Sequence, residues 1–301
     1  MKSLTDRNLL SRLQQDIASG KISNSNFDQD SVDELASVLA RFVENGYEQA
    51  SKQLELEDQT ESIGPFEQLC FLGFGGFGVV YRALDSRLNR MVALKLPRLE
   101  WKSNERVMSR FVHEAKIVAQ LKHPNIVPVF ESGTFDGTFF IASELSEGVG
   151  LDDWIGCNER PPVQTILGIM VQVVDAIAYA HRQNVIHRDL KPTNLLVEKA
   201  ESIDCETNCH LRVRITDFGL AVEIADVMAT ASTSLVGTPA YMAPEQFLED
   251  RPRADSRTDI FSIGVIAYEI ATGFNPFNSD SIVECVRKIG FAALALSLIH
   301  I

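Results

Sequence analysis

The stretch His187-Arg188-Asp189-Leu190-Lys191-Pro192-Thr193-Asn194 constrains this chain more than any other. Asp189 is a candidate general base. Lys191, two residues on, offers a cation to a transferring phosphoryl group, and Asn194 offers a metal ligand. Carboxylate, cation and carboxamide on one short loop suit phosphoryl transfer, in which positioning and charge neutralisation supply most of the catalysis. Asp217-Phe218-Gly219 follows an apolar, strand-like run and offers a second metal-binding carboxylate. The competing reading is a polar surface loop with a chance aspartate. It does not account for partner motifs that recur in order elsewhere in the chain.

Upstream, Leu72-Gly73-Phe74-Gly75-Gly76-Phe77-Gly78-Val79-Val80-Tyr81 is rich in glycine, which lets backbone N–H groups approach phosphate oxygens closely. This pattern alone also fits a dinucleotide-binding turn. Such a turn runs into a helix, whereas Val79 to Ala83 reads as a strand, so a glycine-rich hairpin is expected. Lys95 lies inside the apolar strand Met91 to Leu96, where an unpaired ammonium is costly. Glu114, in a helical stretch from Glu105 to Leu121 that stops before Pro124, is its expected partner. A strand-edge lysine that snorkels to solvent is the alternative.

Ile126 to Phe130 and Thr138 to Ala142 read as a strand pair turning at Asp136-Gly137. Thr165 to Gln183 carries an apolar helical stripe of Ile166, Ile169, Met170, Val173, Val174 and Ile177. Leu195 to Val197 and Leu211 to Ile215 read as a hairpin around an insert, 198–210. Cys205, Cys209 and His210 in that insert lack zinc-site spacing, so a solvated loop is expected. Asp255 to Thr272 is apolar nearly all round, ends at Gly273 and is expected to be buried.

The order and spacing of these strings resemble the serine/threonine protein kinases. The run Gly237 to Gln246 resembles the bacterial, Hanks-type branch. The resemblance covers about 63–290. It implies an α+β, two-lobed fold: an antiparallel N-lobe (61–143), a helical C-lobe (147–290) without its last helices, and ATP between them. It implies transfer of the γ-phosphoryl of ATP to serine or threonine hydroxyls of protein substrates. Asp189, Lys191, Lys95 and Glu114 are then the catalytic set, with Asn194 and Asp217 holding Mg²⁺ or Mn²⁺. Gly73, Gly75, Gly76 and Gly78 cover the phosphates, with Phe77 near the hairpin tip. Leu72, Val80, Ala93 and Leu196 sandwich the adenine. The backbone of Glu144 and Ser146 bonds it, and Asp153 lies near the ribose. Ser143, small at the gatekeeper position, implies an open back pocket.

In the same resemblance, the segment from Asp217 to Glu245 is an activation segment, with Thr230, Ser232, Thr233 or Ser234 phosphorylated and paired with Arg188. A flexible Ser/Thr-rich loop without regulation is the alternative. Thr238 bonds Asp189 and Lys191. His187, Phe218 and Asp259 are structural, Asp259 capping the catalytic-loop backbone. A kinase dimer for autophosphorylation is a further implication. A pseudokinase scaffold would normally lose Lys95, Asp189 or Asp217, and all three are present. A small-molecule phosphotransferase of the same fold does not account for Thr238 and the Ala243-Pro244-Glu245 string.

A net charge of −13 argues against general affinity for nucleic acid or anionic membranes. Five scattered cysteines suit a reducing, cytoplasmic setting. No signal peptide and no run of about 20 apolar residues is apparent, so no membrane contact is expected within 1–301. Residues 1–60 read as two amphipathic helices, around Leu9 to Ile17 and Val32 to Val43, and an acidic linker. They are expected to dock as a helical pair; a regulatory extension is the alternative.

The codons CTG TCT CTT ATA CAC ATC encode Leu296 to Ile301 and also spell a transposon end used as a sequencing adapter. Residues 291–301 are therefore expected to be a non-native tail on a truncated frame. The family partner of Glu245 is an arginine from the part beyond. A buried pair broken on one side costs about 3–5 kcal/mol, so poor stability is expected of the fragment.

Overall fold

The computed structural model describes residues 62–75, 78–97, 112, 115–157, 161–199, 211–218, 239–246, 255–279 and 284–289. The expectations for residues 1–60, Gly76, Phe77, Glu114, the cysteines and histidine of the 198–210 insert, Thr230 to Ser234, Thr238 and the tail lie outside these residues.

Antiparallel pairing builds the first sheet. Its strands are β1 (Ser62–Ile63), β2 (Phe66–Gly75), β3 (Gly78–Asp85), β4 (Arg90–Pro97), β5 (Val129–Phe135) and β6 (Thr138–Glu144). They pair antiparallel in the order β1-β2-β3-β4-β6-β5. Val79, Tyr81 and Ala83 of β3 and Val92, Leu94 and Leu96 of β4 point to one face. There they bury with Phe66, Phe140 and Ala142 in a small core. Each large apolar chain buried this way contributes roughly 1.5–3 kcal/mol. The residues between them point the other way. Val80 lies opposite Lys95 in the register, so Val80, Ala93 and Lys95 share the face turned from that core.

Asp136 and Gly137 turn the β5–β6 hairpin at φ 45° and 75°, the left-handed pair that a two-residue hairpin turn requires. The first strand of that hairpin begins three residues later than the pattern predicts. Ile126 is instead buried in the large core and bridges Ile215 in parallel. Val127 N–H donates to the Ile215 carbonyl at 2.9 Å, and Ile215 N–H to the Asn125 carbonyl at 2.8 Å.

A second sheet, β7 (Val149–Gly150), β8 (Leu195–Lys199) and β9 (Leu211–Ile215), lies against helices α1 (Leu151–Cys157), α2 (Val163–Arg182) and α3 (Ser256–Thr272). One stripe of α2, Ile169, Val173, Ala176, Ile177 and Ala180, packs on Leu195, Val197, Val213 and Ile215 and on Ile263, Ile266 and Ile270 of α3. By length and composition alone α2 is apolar enough to cross a bilayer, but this stripe makes it the central helix of the larger core. Val174, expected inside, is 46% exposed with Val163, Leu167 and Val171 on the outer side.

The α3 helix starts where Asp255 caps it, accepting the Arg257 N–H at 2.8 Å. It ends at Gly273, left-handed at φ 83°. It is not buried all round as expected. Ile260 and Tyr268, eight residues apart on one side, are exposed. Cys70, Cys157 and Cys285 are free thiols.

Candidate active site

Lys95 reaches from β4 to Asp217, its Nζ 2.7 Å from Oδ1, and the lysine side chain is buried. The expected partner, Glu114, is outside the described residues; within them Lys95 meets Asp217. Burial pushes the Asp217 carboxyl up, but Lys95, with Lys191 adding, more than offsets this and holds it below the ordinary carboxylate value. Asp217 directly follows β9 and Thr216 and sits at φ 64°. A non-glycine residue in that region costs about 1–3 kcal/mol, and such strain gathers at functional sites.

The loop from His187 to Asn194 connects α2 to β8 and is pinned from beneath by α3. Asp259, fully buried, accepts the His187 N–H through Oδ2 at 2.9 Å and the Arg188 N–H through Oδ1 at 2.8 Å. His181 Nε2 also lies 2.7 Å from Asp259 Oδ2. Asp189 N–H donates to His187 Nδ1 at 3.3 Å, which leaves Nε2 to donate to the Thr216 carbonyl at 2.9 Å. The His187 ring lies 4.7 Å from that of Phe218. His187 thus joins the loop to the segment that carries Asp217.

Asp189, nearly buried, faces its own loop partners. Lys191 Nζ is 2.8 Å from Asp189 Oδ2. Asn194 Nδ2 donates to the Asp189 carbonyl at 2.7 Å and lies 3.4 Å from Oδ2. Asn194 Nδ2 is thereby occupied, and Asn194 Oδ1 and Asp217 Oδ2 meet no hydrogen-bond donor among the described residues. Two hard oxygens of this kind fit Mg²⁺, which is typically held by one or two protein groups plus substrate phosphates.

The remaining expected residues fall around this centre. Val80 and Ala93 share the Lys95 face, and Leu196 turns away from the large core that takes its neighbours Leu195 and Val197. Leu72 sits in a register irregularity of β2 and is 51% exposed. Gly73 pairs with Val80 and Gly75 with Gly78 across the hairpin. Glu144 ends β6 with its N–H donated to the Pro128 carbonyl at 3.0 Å, and Ser143 Oγ lies 3.4 Å from the Ala93 carbonyl. Asp153 is exposed in the first turn of α1. Glu245 is not left without a partner. Its Oε1 accepts from Thr258 Oγ1 at 2.8 Å, a hydroxyl at the start of α3, whereas it was expected to lack a partner without the family's arginine.

Four contributors carry no role in the sequence reading. His181 supports Asp259. Gln246 Nε2 donates to the Arg188 carbonyl at 2.8 Å while its Oε1 accepts the Ala243 N–H at 2.9 Å. Arg214 and Glu198 reach the segment around Glu144 and Ser146. Arg214 had a visible signal: it alternates with apolar residues in β9 and, if turned inward, needs a carboxylate.

A model described as the protein kinase domain matches residues 66–295. A probable serine/threonine-protein kinase of Clostridium perfringens is 38% identical over 223 residues, 74% of this chain and 31% of that protein. Serine/threonine-protein kinase PrkC of Bacillus subtilis is 34% identical over 225 residues, 75% of this chain and 33% of that protein. PknL of Mycobacterium tuberculosis is 36% identical over 207 residues, covering 69% and 49%. The chain thus spans about a third to a half of the length of these relatives. The PknI kinase domain of Mycobacterium tuberculosis superposes with a TM-score of 0.57 over 73% of this chain and 79% of that one, at 24% identity, a likeness of fold.

Proposed function

The chain belongs to the protein kinase family, and we propose that it transfers the γ-phosphoryl group of ATP to serine or threonine hydroxyls of protein substrates. The observation that carries the reading is the Lys95–Asp217 contact at 2.7 Å, made between the two lobes close to Asp189 and Lys191. The family uses ATP and a divalent metal, and the donors in this cleft match that use.

In this reading Lys95 holds the nucleotide phosphates, and Asp217 and Asn194 hold the metal. When bound, Mg²⁺ neutralises charge on the phosphate oxygens. Asp189 orients the acceptor hydroxyl and takes its proton, and Lys191 neutralises the transferring group. Val80 and Ala93 cover the adenine from above and Leu196 from below. Glu144 contributes its carbonyl, because its N–H is already spent on Pro128. Ser146 contributes its backbone, and Asp153 faces the ribose. Phosphorylation among Thr230 to Ser234, in cis or within a dimer, orders the activation segment through Arg188. Thr238 then selects hydroxyl acceptors, and the domain works in the cytoplasm.

The test is phosphate transfer from labelled ATP·Mg²⁺ to a Ser/Thr-rich protein acceptor by the wild-type chain, next to Asp189→Asn. Loss of the general base lowers the rate by about 10²–10⁴ while nucleotide binding persists. Absence of transfer by wild type, or an undiminished rate in Asp189→Asn, overturns the reading.

A further inference from the structure

Two residues of the connection between the lobes are held by side chains from the second sheet. Arg214 Nη1 donates to Glu144 Oε1. Ser146 Oγ donates to Glu198 Oε1 and itself accepts the Gly148 N–H at 3.1 Å. Arg214 Nη1 lies 3.7 Å from Glu198 Oε1, which closes a chain Glu144–Arg214–Glu198–Ser146.

This chain shares a surface with the cleft. Arg214 pairs directly with Leu196 in the β8–β9 register, and Glu198 lies two residues beyond Leu196. All three therefore point to the same face of the hairpin. The Arg214 side chain is only 6% exposed, and removing a guanidinium from water is costly unless its partners compensate. The Arg214 contact also holds the Glu144 carboxyl below its ordinary value, against the effect of burial, so the pair is charged. A charged strut in a strand of apolar alternation is expensive for a merely structural link.

We propose that Arg214 and Glu198 are positioning residues for purine recognition: they fix the backbone of Glu144 and Ser146 over Leu196 and so set the preference for adenine over guanine nucleotides. The proposal rests on the nucleotide reading above. Adenine presents an amino donor and a ring acceptor where guanine presents a carbonyl acceptor and an N–H donor. A backbone carbonyl and N–H held in fixed register match the first and leave unpaired groups against the second. With the strut cut, the connection relaxes and accommodates both poorly.

The experiment is displacement of a fluorescent ATP analogue from the full chain by ATP and by GTP, with melting followed in parallel. Arg214→Met and Glu198→Leu each weaken ATP about tenfold and lower the ATP-to-GTP preference by a similar factor. The double variant adds little to either single one, because both cut one chain of contacts. Arg214→Lys, which retains the charge, recovers part of the preference. Should Arg214→Met fail to fold, Glu198→Leu carries the same readout, since it removes the acceptor of the Ser146 hydroxyl and leaves Arg214 on Glu144, and Ser146→Ala cuts the same bond while also releasing the Gly148 N–H. Folded variants with wild-type affinity and wild-type preference overturn the proposal and leave the kinase reading standing. A wild-type chain that binds neither nucleotide overturns the kinase reading, and this proposal with it.

Discussion

Asp259 Oδ1 accepts the Arg188 N–H at 2.8 Å although the two residues lie 71 positions apart. Arg188 is held at φ 66°, a strained value for a side-chain-bearing residue, immediately before Asp189. The carboxylate of α3 thus fixes the backbone from which the candidate base projects. Packing of α2 on α3 in the large core sets that distance.

Asp259→Ala removes the acceptor of two backbone donors and of His181 in a fully buried position. Each donor left unsatisfied costs about 1–3 kcal/mol, so a large fall in melting temperature is expected. Asp259→Asn keeps one accepting oxygen and falls between. In variants that remain folded, kcat drops more than KM for ATP rises, because the loop and not the nucleotide cleft is released. Equal melting temperatures for wild type and Asp259→Ala refute the assignment.

Gly73 and Gly78 look alike in the glycine-rich string, but the structure separates them. Gly78 has φ 152°, and a Cβ there meets the Leu96 carbonyl oxygen at 1.7 Å, a backbone atom that has no room to retreat. At Gly73 a Cβ meets nothing within 4 Å. Gly78→Ala is expected to destabilise the small lobe by about 1–3 kcal/mol, whereas Gly73→Ala stays within about 0.5 kcal/mol. Urea denaturation of both variants decides. Equal midpoints contradict the geometry.

Lys95→Met tests the pair across the cleft through pH. The Asp217 carboxyl is depressed in the folded state relative to about 3.9 unfolded. Its contribution to stability is therefore present above about pH 4 and lost as pH falls through the depressed value. In Lys95→Met the burial remains and the nearer cation is gone. The carboxyl rises, and charging it now opposes folding as pH increases. The stability gap between wild type and variant, from urea midpoints, should widen from pH 3 to pH 7. A gap that does not change with pH excludes a charged Lys95–Asp217 pair.

Much of this site was readable in the sequence because its parts are short and locally determined. The loop from His187 to Asn194, the Asp217 segment, the Asp136-Gly137 turn and the Asp255 and Gly273 helix ends each follow from residues a few positions apart. What local pattern does not carry is choice among distant partners. Lys95 in an apolar strand announces that it needs a carboxylate, but the contact with Asp217 depends on how two sheets meet. The start of β5 shifted because Ile126 found Ile215 in the large core, a pairing across the whole loop region. Thr258 beside Glu245, and Arg214 turned inward, are likewise products of tertiary packing.

Gln246 provides the sharpest test of how the Ala243-Pro244-Glu245 segment reaches the candidate base. Its amide bridges two backbones, donating to the Arg188 carbonyl at 2.8 Å and accepting the Ala243 N–H at 2.9 Å. Gln246→Leu loses both bonds. Gln246→Glu keeps the acceptor but sets a carboxylate oxygen against the Arg188 carbonyl, two acceptors with no proton between them. Protonation restores the donor, so the neutral form of the glutamic acid is favoured there and its pKa rises above the usual value of about 4.3. Phosphoryl transfer by Gln246→Glu should therefore be weak at high pH and recover, relative to wild type, as pH falls. Gln246→Leu should be reduced by about tenfold at every pH. A residue that merely filled space would give parallel profiles for the two variants. Parallel profiles, or a Gln246→Glu chain as active as wild type at pH 8, would show that the bridge does not position Arg188.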